Sequence, residues 1–218
     1  MNEKVVKKFQ EKGITILDPR NTYIGQEVHI AKGNTIYPNT FLKGKIKIGP
    51  NNTLGPNLYI EGKVTIGSGN HITYSHITNS RIGNNNQIGP YSRLRDNVVI
   101  KNNARIGNFV EIKNSVIDDG TRIAHLSYIG DAKLGKKVNI GAGTITANYN
   151  SVTGKKNRTI IKDGASTGSN SVLVAPVTIS ENALVGAGSV ITKNVPKNAL
   201  AVTRPKQENK LNWVKSSR

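Results

Sequence analysis

The chain has 218 residues, no cysteine, 36% hydrophobic and only 5% aromatic residues, and a net charge of +18. The missing cysteine excludes disulfides, thiolate zinc sites and thiol catalysis, and the scarcity of large apolar side chains makes a conventional globular core thin. The charge calls for an anionic partner or a well-solvated surface; the lysines are scattered with no basic-aromatic module among them, so no nucleic-acid partner is expected.

Residues 1–20 are read as a short helix and a lead-in strand. Val5 and Phe9 stand at i, i+4 spacing within residues 2–12, and ITILDP (14–19) ends in proline. The opening MNEKVVKKFQEKG carries charge and no apolar stretch, so it is not a signal peptide. No segment approaches the roughly 18 apolar residues of a membrane span. A cytoplasmic protein with no membrane insertion is the expectation.

Residues 21–195 carry a repeat. Aliphatic residues recur every six positions from Ile24 through Ile30, Ile36, Leu42, Ile48, Leu54, Ile60 and Ile66 to Ile72, and the register resumes after five-residue steps at Ile77, Ile82, Ile117 and Leu134. A last run goes from Ile161 through Thr167, its polar member, to Ile191. Neither a helical nor a simple strand period explains this. Glycine often follows the aliphatic, as at Gly49, Gly107, Gly130 and Gly141, marking places where a side chain fits poorly or φ is unusual. Each unit is a short strand plus a turn and cannot bury its aliphatic alone, so units must wind into coils and stack. The expected fold is all-β, a parallel β-helix. From residue 147 to 158 the register is lost, and ANYNSVTGKKNR is expected to leave the coil as a loop. After Val195-Pro196 the repeat is expected to stop, leaving an irregular tail, 196–218, with the only tryptophan, Trp213.

If a coil is eighteen residues long, Arg95 and Lys113 lie one above the other, about 4.8 Å apart. Two stacked cations need a negative group beside them. Glu111 is one candidate and an anionic ligand such as a phosphate is the other; a solvated basic face paired with Glu111 is the plainer reading. His125 would lie under Ala142, a small residue, which leaves space for a general base to work, although a lone histidine is more often structural or simply exposed. His29, His71 and His76 are spaced in a way similar to the zinc-binding histidines of γ-class carbonic anhydrases, but His29 falls on a different side of the coil from His71. No metal site is expected.

From residue 88 onward the motifs GNFVEIKNS (107–115), AHLSYIGDA (124–132), VNIGAGTITANYN (138–150), LVAPVTI (173–179) and GAGSVITKNVPKNAL (186–200) occur in one order. The chain thereby resembles the acetyltransferase domain of the bacterial bifunctional N-acetylglucosamine-1-phosphate uridyltransferase/glucosamine-1-phosphate acetyltransferase, within the hexapeptide-repeat acyltransferases. The resemblance covers roughly residues 12 to 213 and is weak in the first third. It implies a left-handed, three-sided winding, a homotrimer with sites between adjacent prisms, and acetyl-CoA as cosubstrate. It implies His125 as general base and Arg95 and Lys113 as the acceptor's phosphate ligands. Tyr128, Asn139 and Lys156 match further acceptor-site residues, and Glu111 would orient His125 or the substrate amine. Ala142, Asn148, Ser169, Ala187 and Arg204 match positions lining the acetyl-CoA site, with Tyr149 and Lys210 nearby.

The chemistry agrees with that implication. Arg95, Lys113 and Lys156 supply cations for one phosphate. An imidazole's ordinary pKa of about 6.5 suits it to take the proton that an attacking amine must lose. The oxyanion donors expected are a backbone N–H near Ala142 and the Ser169 hydroxyl. The expected activity is acetyl transfer from acetyl-CoA to glucosamine 1-phosphate or a close amino-sugar phosphate, for UDP-N-acetylglucosamine synthesis. An acyltransferase for another amino sugar, nucleotide-linked or not, and a non-catalytic anion-binding scaffold are the rivals. The 218 residues hold no glycine-rich nucleotide loop, so uridyl transfer is not expected. Three details depart from the family pattern: Ala147 stands where cysteine is common, Asn150 where aspartate is common, and GSN (168–170) replaces GSD. The loop is also about one residue longer.

Overall fold

The computed structural model describes residues 2–211 and 213. Among them, three parallel sheets of eleven, ten and nine strands run the length of the molecule. Side one begins at Thr15–Ile16, side two at Thr22–Ile24 and side three at Val28–Ile30, and every third strand returns to the same side. The result is a three-sided parallel β-helix, in agreement with the left-handed winding expected.

The repeat aliphatics make the core. Ile36, Leu54, Ile72, Ile106 and Ile123 are all fully buried on side one, stacked in register. Burying one such side chain is worth about 1.5–3 kcal/mol, too little for one coil and ample for a stack. Thr167 takes an aliphatic's place in that column and is 3% exposed; its hydroxyl lies 2.9 Å from that of Thr144, which donates to the Gly141 carbonyl. Among the glycines that follow the aliphatics, Gly55 and Gly89 have positive φ, 90° and 100°, and Gly49 and Gly107 are explained by crowding. A Cβ on Gly49 would sit 2.6 Å from the Gly67 carbonyl oxygen, and one on Gly107 2.0 Å from that of Ala124.

A second, polar column runs beside the aliphatic one. Asn34, Asn52, Asn70 and Asn86 are at most 1% exposed. The amides of Asn52, Asn70 and Asn86 each donate to the side-chain oxygen of the asparagine below, at 2.9 to 3.0 Å. The Asn34 amide donates to the Ala31 and Gly49 carbonyls, and each of the four oxygens accepts a backbone N–H from the coil above. The ladder satisfies buried polar groups in a row that would be costly if any rung were missing.

The helix, Asn2–Glu11, packs on the first coil with Val6 fully buried and Val5 and Phe9 partly so. At the far end pairing continues beyond the expected stop at residue 195: Leu200–Ala201 adds a last strand to side one, in register with Leu184–Val185. Ala147 still pairs with Val174, so the loop starts at Asn148, one residue later than expected. It rejoins the coil at Thr159 and is closed on itself by an antiparallel bridge between Tyr149 and Lys156.

Candidate active site

Arg95 and Lys113 are register partners on the outer face of side two. The expected stacking of two cations is therefore present. Arg95 Nε and Nη2 each donate to Glu111 Oε1 at 2.7 Å, and Nη1 donates to Asp96 Oδ2 at 2.8 Å. Burial works against the Arg95 charge, but the hydrogen bond and charge of Glu111, then those of Asp96, outweigh it and hold its pKa above the ordinary value. Glu111 is thus engaged with Arg95 and not with His125. Among the described residues Lys113 has no carboxylate within ion-pair distance. It is the uncommitted cation of the pair.

Tyr128 sits in register above Glu111, and Gly130 above Lys113. A Cβ on Gly130 would lie 2.5 Å from the Tyr128 hydroxyl oxygen and 2.7 Å from Cε1 and Cζ. The tyrosine ring therefore lies along its own strand, over Gly130, with its hydroxyl in the column that contains Lys113. Arg95, Glu111, Lys113 and Tyr128 form one patch.

His125 ends the side-one strand Arg122–His125, at the corner leading to side two. Its residue is exposed, and among the described residues its imidazole has no hydrogen-bond partner. Ile123 pairs with Ile140, Ile140 with Thr167, and Thr167 with Val185. Two residues beyond each lie His125, Ala142, Ser169 and Ala187, so these four form a row along the corner. Corner hydrogen bonds confirm the stack: Asn170 N–H donates to Ala142 O at 2.7 Å, and Gly188 N–H to Ser169 O at 2.8 Å. Arg204 closes the row by donating from Nη1 to Ala187 O at 2.6 Å. A histidine is thus followed by three small residues and a guanidinium.

Below His125 the adjacent corner column is the reverse. Tyr74, Tyr91, Phe109 and Leu126 all have positive φ, between 44° and 59°, and the Tyr91 and Phe109 rings stack at 5.4 Å. Bulky residues rarely adopt that conformation. This ridge was not anticipated, although its spacing of seventeen or eighteen residues is present in the sequence.

The remaining expected residues lie elsewhere. Asn139 is on the outer face of side one, in register with Arg122 and Ser166. Asn148, Tyr149 and Lys156 belong to the loop between sides two and three, the opposite edge of side two from His125. Asn148 is 7% exposed, and its amide donates to Asp131 Oδ2, so that amide is already engaged. Lys210 lies in the exposed tail with its ammonium 5.4 Å from the Trp213 ring centroid. His29, His71 and His76 fall on three different sides.

Residues 79–114 match the family described as bacterial transferase hexapeptide (six repeats). All 218 residues align at 46% identity with the bifunctional protein GlmU of Thermodesulfovibrio yellowstonii. The chain belongs to the bacterial hexapeptide-repeat transferases. Among further members, GlmU of Carboxydothermus hydrogenoformans is 51% identical over 95% of the chain. This hexapeptide chain spans about half of these relatives, 48% and 46% of their lengths. Among solved structures, an Arabidopsis UDP-N-acetylglucosamine acyltransferase aligns with 88% of the hexapeptide chain and 70% of its own, at 19% identity and a TM-score of 0.39.

Proposed function

We propose that the chain transfers an acetyl group from acetyl-CoA to the amine of glucosamine 1-phosphate. The observation that carries this reading is the corner row: a histidine free of hydrogen-bond partners among the described residues, then Ala142, Ser169 and Ala187, then Arg204. The small residues leave a shallow track for the donor's extended arm, and Arg204 offers a cation to a CoA phosphate. Lys113, with Arg95 beside it, receives the sugar phosphate. The acceptor's identity rests on the ordered motifs shared with the family.

In this reading the amine nitrogen attacks the thioester carbonyl while His125 takes its proton. The carbonyl electron pair becomes an oxyanion, for which the Ser169 hydroxyl is the donor at hand. The C–S bond then breaks, and the CoA sulfur leaves with the proton returned from the imidazolium. The products are N-acetylglucosamine 1-phosphate and CoA.

One prism holds His125 and the Asn148–Lys156 loop at opposite edges of side two. A homotrimer with parallel prisms brings one copy's loop to the next copy's histidine, which is the arrangement we adopt. The test mixes protein, acetyl-CoA and glucosamine 1-phosphate and follows thiol release. Turnover is expected, and His125→Ala should lower it by about 10²–10⁴. No turnover together with no acetyl-CoA binding by calorimetry would overturn the proposal in favour of an anion-binding scaffold.

A further inference from the structure

Asp131 is a buried carboxylate that the proposed chemistry does not use. It is 7% exposed and follows Gly130 at the corner between sides two and three, with φ at 47°. Four bonds converge on it. Its N–H donates to Lys113 O at 3.0 Å, and its carbonyl accepts the N–H of Thr159 at 3.3 Å. Its Oδ1 accepts from the Asn114 amide at 2.5 Å, and its Oδ2 from the Asn148 amide. Asn148 is the first residue of the loop, and Thr159 is the residue on which the loop rejoins the coil. Lys113 and Asn114 belong to the coil below, at the cation patch. Asp131 therefore holds both feet of the loop and ties them to the strand that carries Lys113.

The arrangement is an amide–carboxylate–amide ladder. A carboxylate accepts at both oxygens, so it satisfies two donors without needing one of its own. Beyond its feet the loop is bonded to itself, with the Asn157 N–H donating to Asn148 O at 2.8 Å and the Asn150 N–H to Lys155 O at 2.9 Å, while Tyr149, Asn150 and Lys156 are exposed and Val152 is 93% exposed. Local opening of such a segment is governed by the few bonds at its base.

We infer that Asp131 is a positioning residue that clamps the loop 148–158 and so sets where Asn148, Tyr149 and Lys156 stand. The clamp is read from bonds within the chain; its effect on turnover rests on the acetyl-transfer proposal. The experiment uses Asp131→Gly, which keeps the positive-φ turn and removes the carboxylate, and Asp131→Asn, which can continue an amide ladder as Asn52 and Asn70 do. Limited trypsin digestion is read by mass spectrometry at Lys155 and Lys156. Cleavage there should rise about tenfold or more in Asp131→Gly, as the open population grows, and stay within about threefold of the parent in Asp131→Asn. The KM for acetyl-CoA and for glucosamine 1-phosphate should rise in Asp131→Gly, with kcat at saturation little changed because His125 stands on the rigid coil. Unchanged cleavage in Asp131→Gly, or equal cleavage in both variants, overturns the clamp. Faster cleavage in a protein that transfers no acetyl group leaves the clamp standing and removes only the catalytic proposal.

Discussion

Gly130→Ala tests how the acceptor patch is assembled. The added carbon would meet the Tyr128 ring at 2.5 to 2.7 Å. Ordinary carbon contacts lie at about 3.5 to 4.0 Å, so the ring must move by about 1 Å. Tyr128 is half-buried and can swing towards solvent, which puts the stability cost at the low end of the about 1–3 kcal/mol of overpacking. The functional cost is larger. In the proposed acceptor site the Tyr128 hydroxyl donates to the sugar phosphate held at Lys113, and a displaced hydroxyl loses that charge-assisted hydrogen bond, worth about 1.5–3 kcal/mol. That corresponds to roughly a ten- to hundredfold fall in kcat/KM for glucosamine 1-phosphate. The assay compares Gly130→Ala, Tyr128→Phe and the double variant. The double variant should be no worse than Tyr128→Phe, because both changes remove the same hydroxyl. A kcat/KM within twofold of the parent, or losses that simply add, would refute the placement of the ring.

Three further outcomes follow from the described contacts. Lys113→Ala should raise the KM for glucosamine 1-phosphate by about tenfold or more, since it removes the uncommitted cation, and leave the KM for acetyl-CoA within about twofold; equal rises in both would contradict a phosphate role. Asn70→Ala removes the acceptor of the buried Asn86 backbone N–H, one of the two acceptors of the Asn86 amide and one donor to the Asn52 oxygen, at about 1–3 kcal/mol for the orphaned N–H, and a loss below 1 kcal/mol in denaturant melts would show the ladder to be dispensable. Asp118, 15% exposed at its side chain, accepts from Lys101 at 2.7 Å. Burial raises its pKa, but the Lys101 hydrogen bond and then the backbone N–H of Asp119 outweigh that and hold it below 3.8. A depressed carboxylate stabilises the fold fully above that ordinary value and loses the effect as pH falls through the folded pKa. Asp118→Asn should therefore destabilise at pH 7 and flatten the acid limb below pH 4, read by thermal melts across pH; an unchanged acid limb contradicts the pairing.

Much of the fold was legible because one aliphatic per side is a strong, regular signal. Ile112 and Ile129 had to stack, and they do. The same arithmetic placed Arg95 on Lys113 and Ala142 in the row above His125. Polar residues were harder to read. Asparagines near turns read as turn formers, yet Asn34, Asn52 and Asn70 turn inward, and only their eighteen-residue spacing distinguishes them. The outward ladder of Tyr23, Phe41 and Tyr59, with the first two rings stacked at 4.6 Å, carries the same spacing and was missed. Glu111's choice of Arg95 over His125 and Asn148's capture by Asp131 depend on side-chain reach across coils, which a linear spacing does not contain. The late strand at Leu200–Ala201 has lost the preceding motif, because Pro196 breaks the pattern before pairing resumes.

The helix Asn2–Glu11 has a consequence beyond packing Val6. A stack of parallel strands has no natural stopping point: its first coil exposes unpaired N–H and C=O groups on every side, and the end of another molecule would fit them. Such edges template polymerisation unless something covers them. The helix is the lid on that end. Another strand stack could add to that edge only by displacing the helix and exposing the buried Val6.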